Sequence, residues 1–134
     1  MQSRAHALLG AVASAALVPV LWPAAGPATA AAVWGYGVAL SVLVDLDHFL
    51  VTRLLVGDWR HLRRVLARPT AALWDQEWIF DDVELAAPRL RSHAVLGGGL
   101  VAATWSLAPA LGTFTALVLS VHVLADLLRD SGVL

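Results

Sequence analysis

No Asp, Glu, Lys or Arg occurs between Arg4 and Asp45, nor between Arg91 and Asp126. Two such blocks together exceed half of the 134 residues, which leaves too little polar side-chain surface to cover a globule in water. A bilayer core about 30 Å thick asks for roughly 20 apolar residues per helix. Four apolar stretches answer to it, roughly 5–22, 29–56, 93–108 and 110–128, the second long enough to project beyond the membrane. The composition agrees, at 59% hydrophobic and 14% charged, with a mean hydropathy of +0.73. The expected fold is all-α: an integral membrane four-helix bundle, one domain over residues 1–134, with a cytoplasmic interfacial helical segment between the second and third helices.

Pro19, Pro23, Gly26 and Pro27 punctuate the first connection, and Pro109 with Gly112 the third; neither connection carries a charge. All nine basic residues are Arg, and they lie at Arg4, from Arg53 to Arg91, and at Arg129. The positive-inside rule then puts both termini and the long middle segment in the cytoplasm, in a multi-pass protein of the cell inner membrane. Trp22, Trp34 and Trp105 fall toward the opposite interface, where aromatic belts form. A second reading of the N-terminus stays open. Arg4, the apolar run from Ala7 to Val18 and "ATA" at 28–30 also resemble a secretory signal with its cleavage site.

The middle segment, roughly 57–92, holds most of the charge. In "DWRHLRRVLARP", Asp58 can cap a helix on which Trp59, Leu62 and Leu66 share a face, with Arg60, Arg63, Arg64 and Arg68 around it and Pro69 stopping it. That pattern predicts an interfacial amphipathic helix on anionic lipid; a plain solvated connection is the equal alternative. Trp74 and Trp78 follow one turn apart, and then the acidic "DDVE" at 81–84.

With that topology the ionisable residues converge on one membrane face. His6 opens the first helix, Asp45, Asp47 and His48 lie toward the cytoplasmic end of the second, His93 opens the third behind Ser92 as its N-cap, and His122 with Asp126 occupy the last turns of the fourth. Burying three acids and four imidazoles together is costly unless they share a cation. The H-x-x-x-D of His122 and Asp126 is an i,i+4 pair on one helix side, able to grip one ion, although alone it equally describes a hydrogen-bonded pair. On an ideal α-helix residues two apart diverge by about 200°, so Asp45 and His48 share a side while Asp47 orients a His or reaches for water, unless the helix unwinds there. The expected ion is held by Asp45, His93, His122 and Asp126, with His6 at a neighbouring ion or in the surroundings. With no Cys in the chain the donors are imidazole and carboxylate, which suit zinc, with manganese or iron as alternatives.

The order of these motifs resembles a family of small bacterial and archaeal membrane-bound metal-dependent hydrolases, some of them SOS-regulated inner-membrane proteins. His6 in "AHALLG" matches the family's opening His. Asp45, Asp47 and His48 match its P-D-x-D-H, with Val44 in place of Pro. "PRLRSHA" matches its H-R-G-x-T-H-S at Arg89 and His93, with Ser92 for Thr and Pro88 for the first His, for which His61 is the imidazole open to substitute. "SVHVLAD" matches its S-H-x-x-x-D at His122 and Asp126, with Val121 for Ser. The family is distantly similar to zinc-dependent phospholipase C and the single-strand nucleases. The resemblance therefore implies phosphoester hydrolysis at a zinc cluster, with Asp126 bridging two ions.

The leading expectation is thus a metal-dependent hydrolase of a phospholipid or other membrane-associated phosphoester, with Arg89 or Arg91 stabilising phosphate charge. A non-catalytic protein, in which a metal or ion-pair network ties the helices and the Arg-rich loop recruits a partner, is the alternative. Ion transport is disfavoured by the dryness of the opposite half of the membrane. A net charge of −1 gives no pull toward nucleic acid, and membrane lipids are the expected partners. Gly97 to Gly99 would permit close helix contacts in an oligomer.

Overall fold

The computed structural model describes residues 3–74 and 76–133, and all regular structure among them is helical. The helices are α1 (Ser3–Leu21), α2 (Pro27–Leu43), α3 (Asp47–Val56), α4 (Arg60–Ala67), α5 (Ala71–Trp74), α6 (Gln76–Ile79), α7 (Ala86–Leu107) and α8 (Pro109–Asp130), with a single 3-10 turn over Val44–Leu46. Pro27 and Pro109 each sit at the first helical position, where a missing N–H costs nothing. Two hairpins result, α1 on α2 and α7 on α8, and α8 also packs on α1 and α2. α1 and α8 are long and apolar enough to cross a membrane, with mean hydropathies of 1.6 and 1.8. The 17 residues of α2 lie at the lower edge of a spanning length.

The helices meet through small residues. α1 buries Ser3, His6, Gly10, Ser14 and Val18, a stripe at helical spacing, and α2 buries Gly37, Leu40 and Ser41. A Cβ at Gly10 would run into the Ser41 side chain, and one at Gly37 into Ser14 and, at 2.8 Å, into Phe114 Cζ. Glycine and serine four residues apart on both helices therefore face each other, which brings the backbones close. Phe114, fully buried on α8, fills the meeting point, edge-on to Trp22 and tilted against Tyr36. Tyr36 and Thr115 share a hydroxyl hydrogen bond of 3.0 Å there. The apolar core of Val18, Leu40, Phe114, Val118 and Leu119 thus occupies one end of the bundle. The other end is polar inside.

Several expectations are corrected by this geometry. The stretch 29–56 is not one helix: it breaks into α2, the 3-10 turn and α3, which ends at Gly57 with φ +82°. Ser92 does not cap the third helix, because α7 already starts at Ala86 with Pro88 in its first turn, where proline is tolerated, and the Ser92 hydroxyl donates to the Arg89 carbonyl. Trp34 lies two turns inside α2 and donates its indole N–H to the Ala11 carbonyl, satisfying a donor that would otherwise seek the interface. α4 forms where the 57–68 pattern placed a helix, and Asp58 accepts from the Arg60 N–H at 2.8 Å. Its arginines are not all available to lipid: Arg60 pairs with Asp82 at 2.6 Å and Arg64 with Asp81 at 2.7 Å, folding the acidic segment back on α4.

The close α1–α2 contact generates a stability expectation. Gly37→Ala should destabilise the folded state by about 1–3 kcal/mol, the usual cost of overpacking, whereas Gly35→Ala, whose Cβ meets open space, should not. Thermal unfolding of the two variants in the same detergent checks this.

Candidate metal centre

His6, Asp45, Asp47, His48, His93, His122 and Asp126 are all buried, none more than 7% exposed. They come from α1, the 3-10 turn, α3, α7 and α8. The turn explains how Asp45 and Asp47 both point inward. At three residues per turn, positions two apart are about 120° from each other rather than the roughly 160° of an α-helix.

The Asp45 carboxylate is the hub. It lies 3.2 Å from His122 Nε2, 3.3 Å from His93 Nε2, 3.6 Å from His48 Nε2 and 3.7 Å from His6 Nε2. Asp126 stands 3.2 Å from His6 Nε2 and 3.5 Å from His122 Nε2. These separations of 3.2 to 3.7 Å run from the long end of hydrogen-bond lengths upward and bracket the roughly 3.3–3.4 Å edge of a tetrahedron with ~2.0–2.1 Å bonds to a central zinc.

The outer atoms of two imidazoles fix which nitrogen points inward. His122 Nδ1 is 3.0 Å from the Ser41 carbonyl oxygen, which can only accept, so Nδ1–H donates there and Nε2 is the nitrogen turned to the cluster. His93 Nδ1 is held by Asp47 Oδ2 at 2.8 Å, and its Nε2 stands 3.1 Å from His122 Nε2. Two imidazole nitrogens and a carboxylate thus crowd together, and both His6 Nε2 and His48 Nε2 are buried without a hydrogen-bond partner among the described residues. Such second contacts on the far nitrogen are the usual supports of metal-bound histidine.

The donor atoms form two groups able to hold a metal ion, His6 with Asp45, His122 and Asp126, and Asp45 with His48 and His93. This differs from the set expected from sequence: His6 lies inside the group with the H-x-x-x-D pair, His93 sides with His48, and the residue common to both groups is Asp45 rather than Asp126. Asp47 supports His93, one of the two roles open to it. His61 does not reach the cluster. It is buried in α4, bonded to Asp82 at 2.9 Å, and the Phe80 ring stacks on it while standing edge-on to His48. That His61 contact, with Arg60 beside it, holds the Asp82 carboxyl below the usual carboxylate range.

Arg89 borders the cluster, with Nε 3.7 Å from Asp126 and Nη2 2.5 Å from Asp130. It lines, with His93 and Asp126, a cavity of about 10 Å³, room for one water. Arg91, two residues on, is exposed on the outer side of α7. The Ser41 carbonyl, Phe80 and Asp130 carry no sequence signal: a main-chain oxygen is invisible in composition, and the other two acquire roles only through tertiary contact.

Comparison with protein-family models, curated proteins and solved structures finds nothing that matches this chain.

The shared carboxylate generates an ordered series. Asp45→Ala should abolish metal retention, His48→Ala should reduce it only in part, and Asp47→Ala should weaken affinity about 10- to 100-fold, as losses of a ligand's support do. Metal content per chain and competition with a chromophoric chelator measure all three.

Proposed function

We propose that the chain is a membrane-embedded, metal-dependent phosphoester hydrolase whose centre lies at the cytoplasmic end of a four-helix bundle. The observation that carries the metal is the convergence of buried donors: Asp45 lies within 3.7 Å of four imidazole nitrogens, and His6 Nε2 and His48 Nε2 are buried without a hydrogen-bond partner among the described residues. Imidazole and carboxylate donors without sulfur favour zinc. Membrane insertion is supported by the distribution of side chains. Ser14, Ser41, Thr52, Thr104 and Thr115 are buried with the histidines and aspartates of the cluster, while Leu8, Val12, Val20, Leu54 and Leu107 are more than 60% exposed. An apolar solvent reconciles the two. α2 and α7 would complete the four spans, and the arginines at the cluster's end of the bundle would face the cytoplasm.

A divalent cation held by these residues supplies Lewis-acid polarisation of a phosphoryl group and a nucleophile from water at neutral pH. The chain's own residues do the rest. Asp45 and Asp126 balance cationic charge, Asp47 and the Ser41 carbonyl orient His93 and His122, and Arg89 offers a guanidinium to a phosphate oxygen beside Asp126. The resemblance of the ordered motifs to membrane-bound metal-dependent hydrolases points the same way. The burial of every cluster side chain, none more than 7% exposed, favours a second reading: a structural metal or ion-pair network with no turnover.

Purified protein loaded with zinc should hydrolyse a member of a panel of phosphomonoesters, phosphodiesters and phospholipids. Arg89→Gln should lower turnover about 10²- to 10³-fold, the usual effect of removing one charge-stabilising donor, with metal content unchanged. Fully metallated protein inactive on the whole panel would leave the structural reading. For topology, reporter fusions after residue 134 should be active only as cytoplasmic reporters; a periplasmic C-terminus would reject the orientation.

A further inference from the structure

The metal centre has a side entrance on the lipid face. Between α2 and α7 runs a groove of about 530 Å³, within the ordinary size range of small-molecule sites. Its walls are apolar, with Ala39, Leu43, Leu96 and Leu100 among them, and it ends at Asp47. Asp47 is 93% buried by its 7% exposure, and its Oδ1 has no hydrogen-bond partner among the described residues, with His48 Nε2 as an ion-pair neighbour at 3.7 Å. A purely apolar occupant would leave that oxygen unsatisfied, so the groove calls for an apolar tail whose head carries a hydrogen-bond donor, as the glycerol hydroxyls of a phosphatidylglycerol do.

Its length agrees. Tyr36, at the far end of the groove, is eleven residues from Asp47, about 16 Å at 1.5 Å per residue, close to the ~15 Å depth of one leaflet. A divalent cation in the cluster and the Arg89 guanidinium beside Asp126 would give a phosphodiester anion its counter-charge.

We infer that this groove is an acyl-chain site, and that a phospholipid enters sideways from the cytoplasmic leaflet with its tail between α2 and α7 and its phosphate at the cluster. The inference rests on the hydrolase reading for the fate of the phosphate, whereas occupancy of the groove does not need turnover. Ala39 is exposed on the groove wall, so Ala39→Trp fills the groove without entering the packed interior. Val12, exposed on α1, serves as the control site.

The test uses the full chain in phosphatidylcholine nanodiscs containing a phosphatidylglycerol with a photoreactive diazirine in mid-chain. Adducts mapped by mass spectrometry should concentrate on residues 39–50 and 96–100 and fall several-fold in Ala39→Trp but not in Val12→Trp. Adducts spread evenly around all the helices, or unchanged in Ala39→Trp, would overturn the site, because annular lipid alone gives that result. In the same preparations Ala39→Trp should keep its metal and any hydrolysis of a short soluble phosphodiester while losing turnover of long-chain lipid; equal loss on both substrates would also overturn it. Groove labelling in a protein that hydrolyses no phosphoester would uphold the lipid site and reject the hydrolase reading.

Discussion

One carboxylate surrounded by four imidazole nitrogens within 3.7 Å is the constraint on which the architecture turns. Asp45 is buried, as are all its neighbours, and an isolated ionised carboxylate in such surroundings costs several kcal/mol. Positive charge must come from somewhere, as protons on the imidazoles or as a metal ion. At His122 the Ser41 carbonyl accepts from Nδ1–H and so leaves Nε2 as the nitrogen that faces Asp45. The 3-10 turn, the inward rotation of Asp47 and the approach of α7 all serve to complete this one environment.

The packing away from the cluster has a different basis. Gly10, Ser14, Gly37 and Ser41 let α1 and α2 approach until backbone and small side chains touch, and Phe114 closes the remaining space. Van der Waals contact between small residues is how helices associate when the solvent is itself apolar. That leaves the large aliphatic side chains outside, where they form the wall through which a lipid tail would pass. Structure and site are therefore joined: the same α2 that packs on α1 through glycines presents its other side to the groove ending at Asp47.

Much of this was legible in the chain because charged and imidazole side chains are conspicuous in apolar sequence. The helical character and the grouping of His6, Asp45, Asp47, His48, His93, His122 and Asp126 at one end follow from spacing and from the cost of burial, whereas the choice of His93 as the partner of Asp47 appears only in the folded chain. What spacing could not supply was the choice between α and 3-10 geometry at Val44–Leu46, a difference of one hydrogen-bond register that turns Asp47 inward beside Asp45. Nor could composition tell that Arg60 and Arg64 would turn to Asp82 and Asp81 rather than to lipid, because a charge run specifies no partner. Ser92 resembled a cap because the helix start was placed by polarity, while Pro88 allowed α7 to begin about two turns earlier.

The central claim is that the imidazoles hold a cation through their inward nitrogens, and X-ray absorption at the zinc edge on protein purified in zinc tests it most directly. A bound ion in this site predicts a nitrogen and oxygen shell at about 2.0–2.1 Å with the outer scattering of histidine rings and no sulfur. Protein that retains no stoichiometric metal, and whose spectrum is that of hydrated zinc alone, would contradict it and leave a buried network of protonated histidines around Asp45.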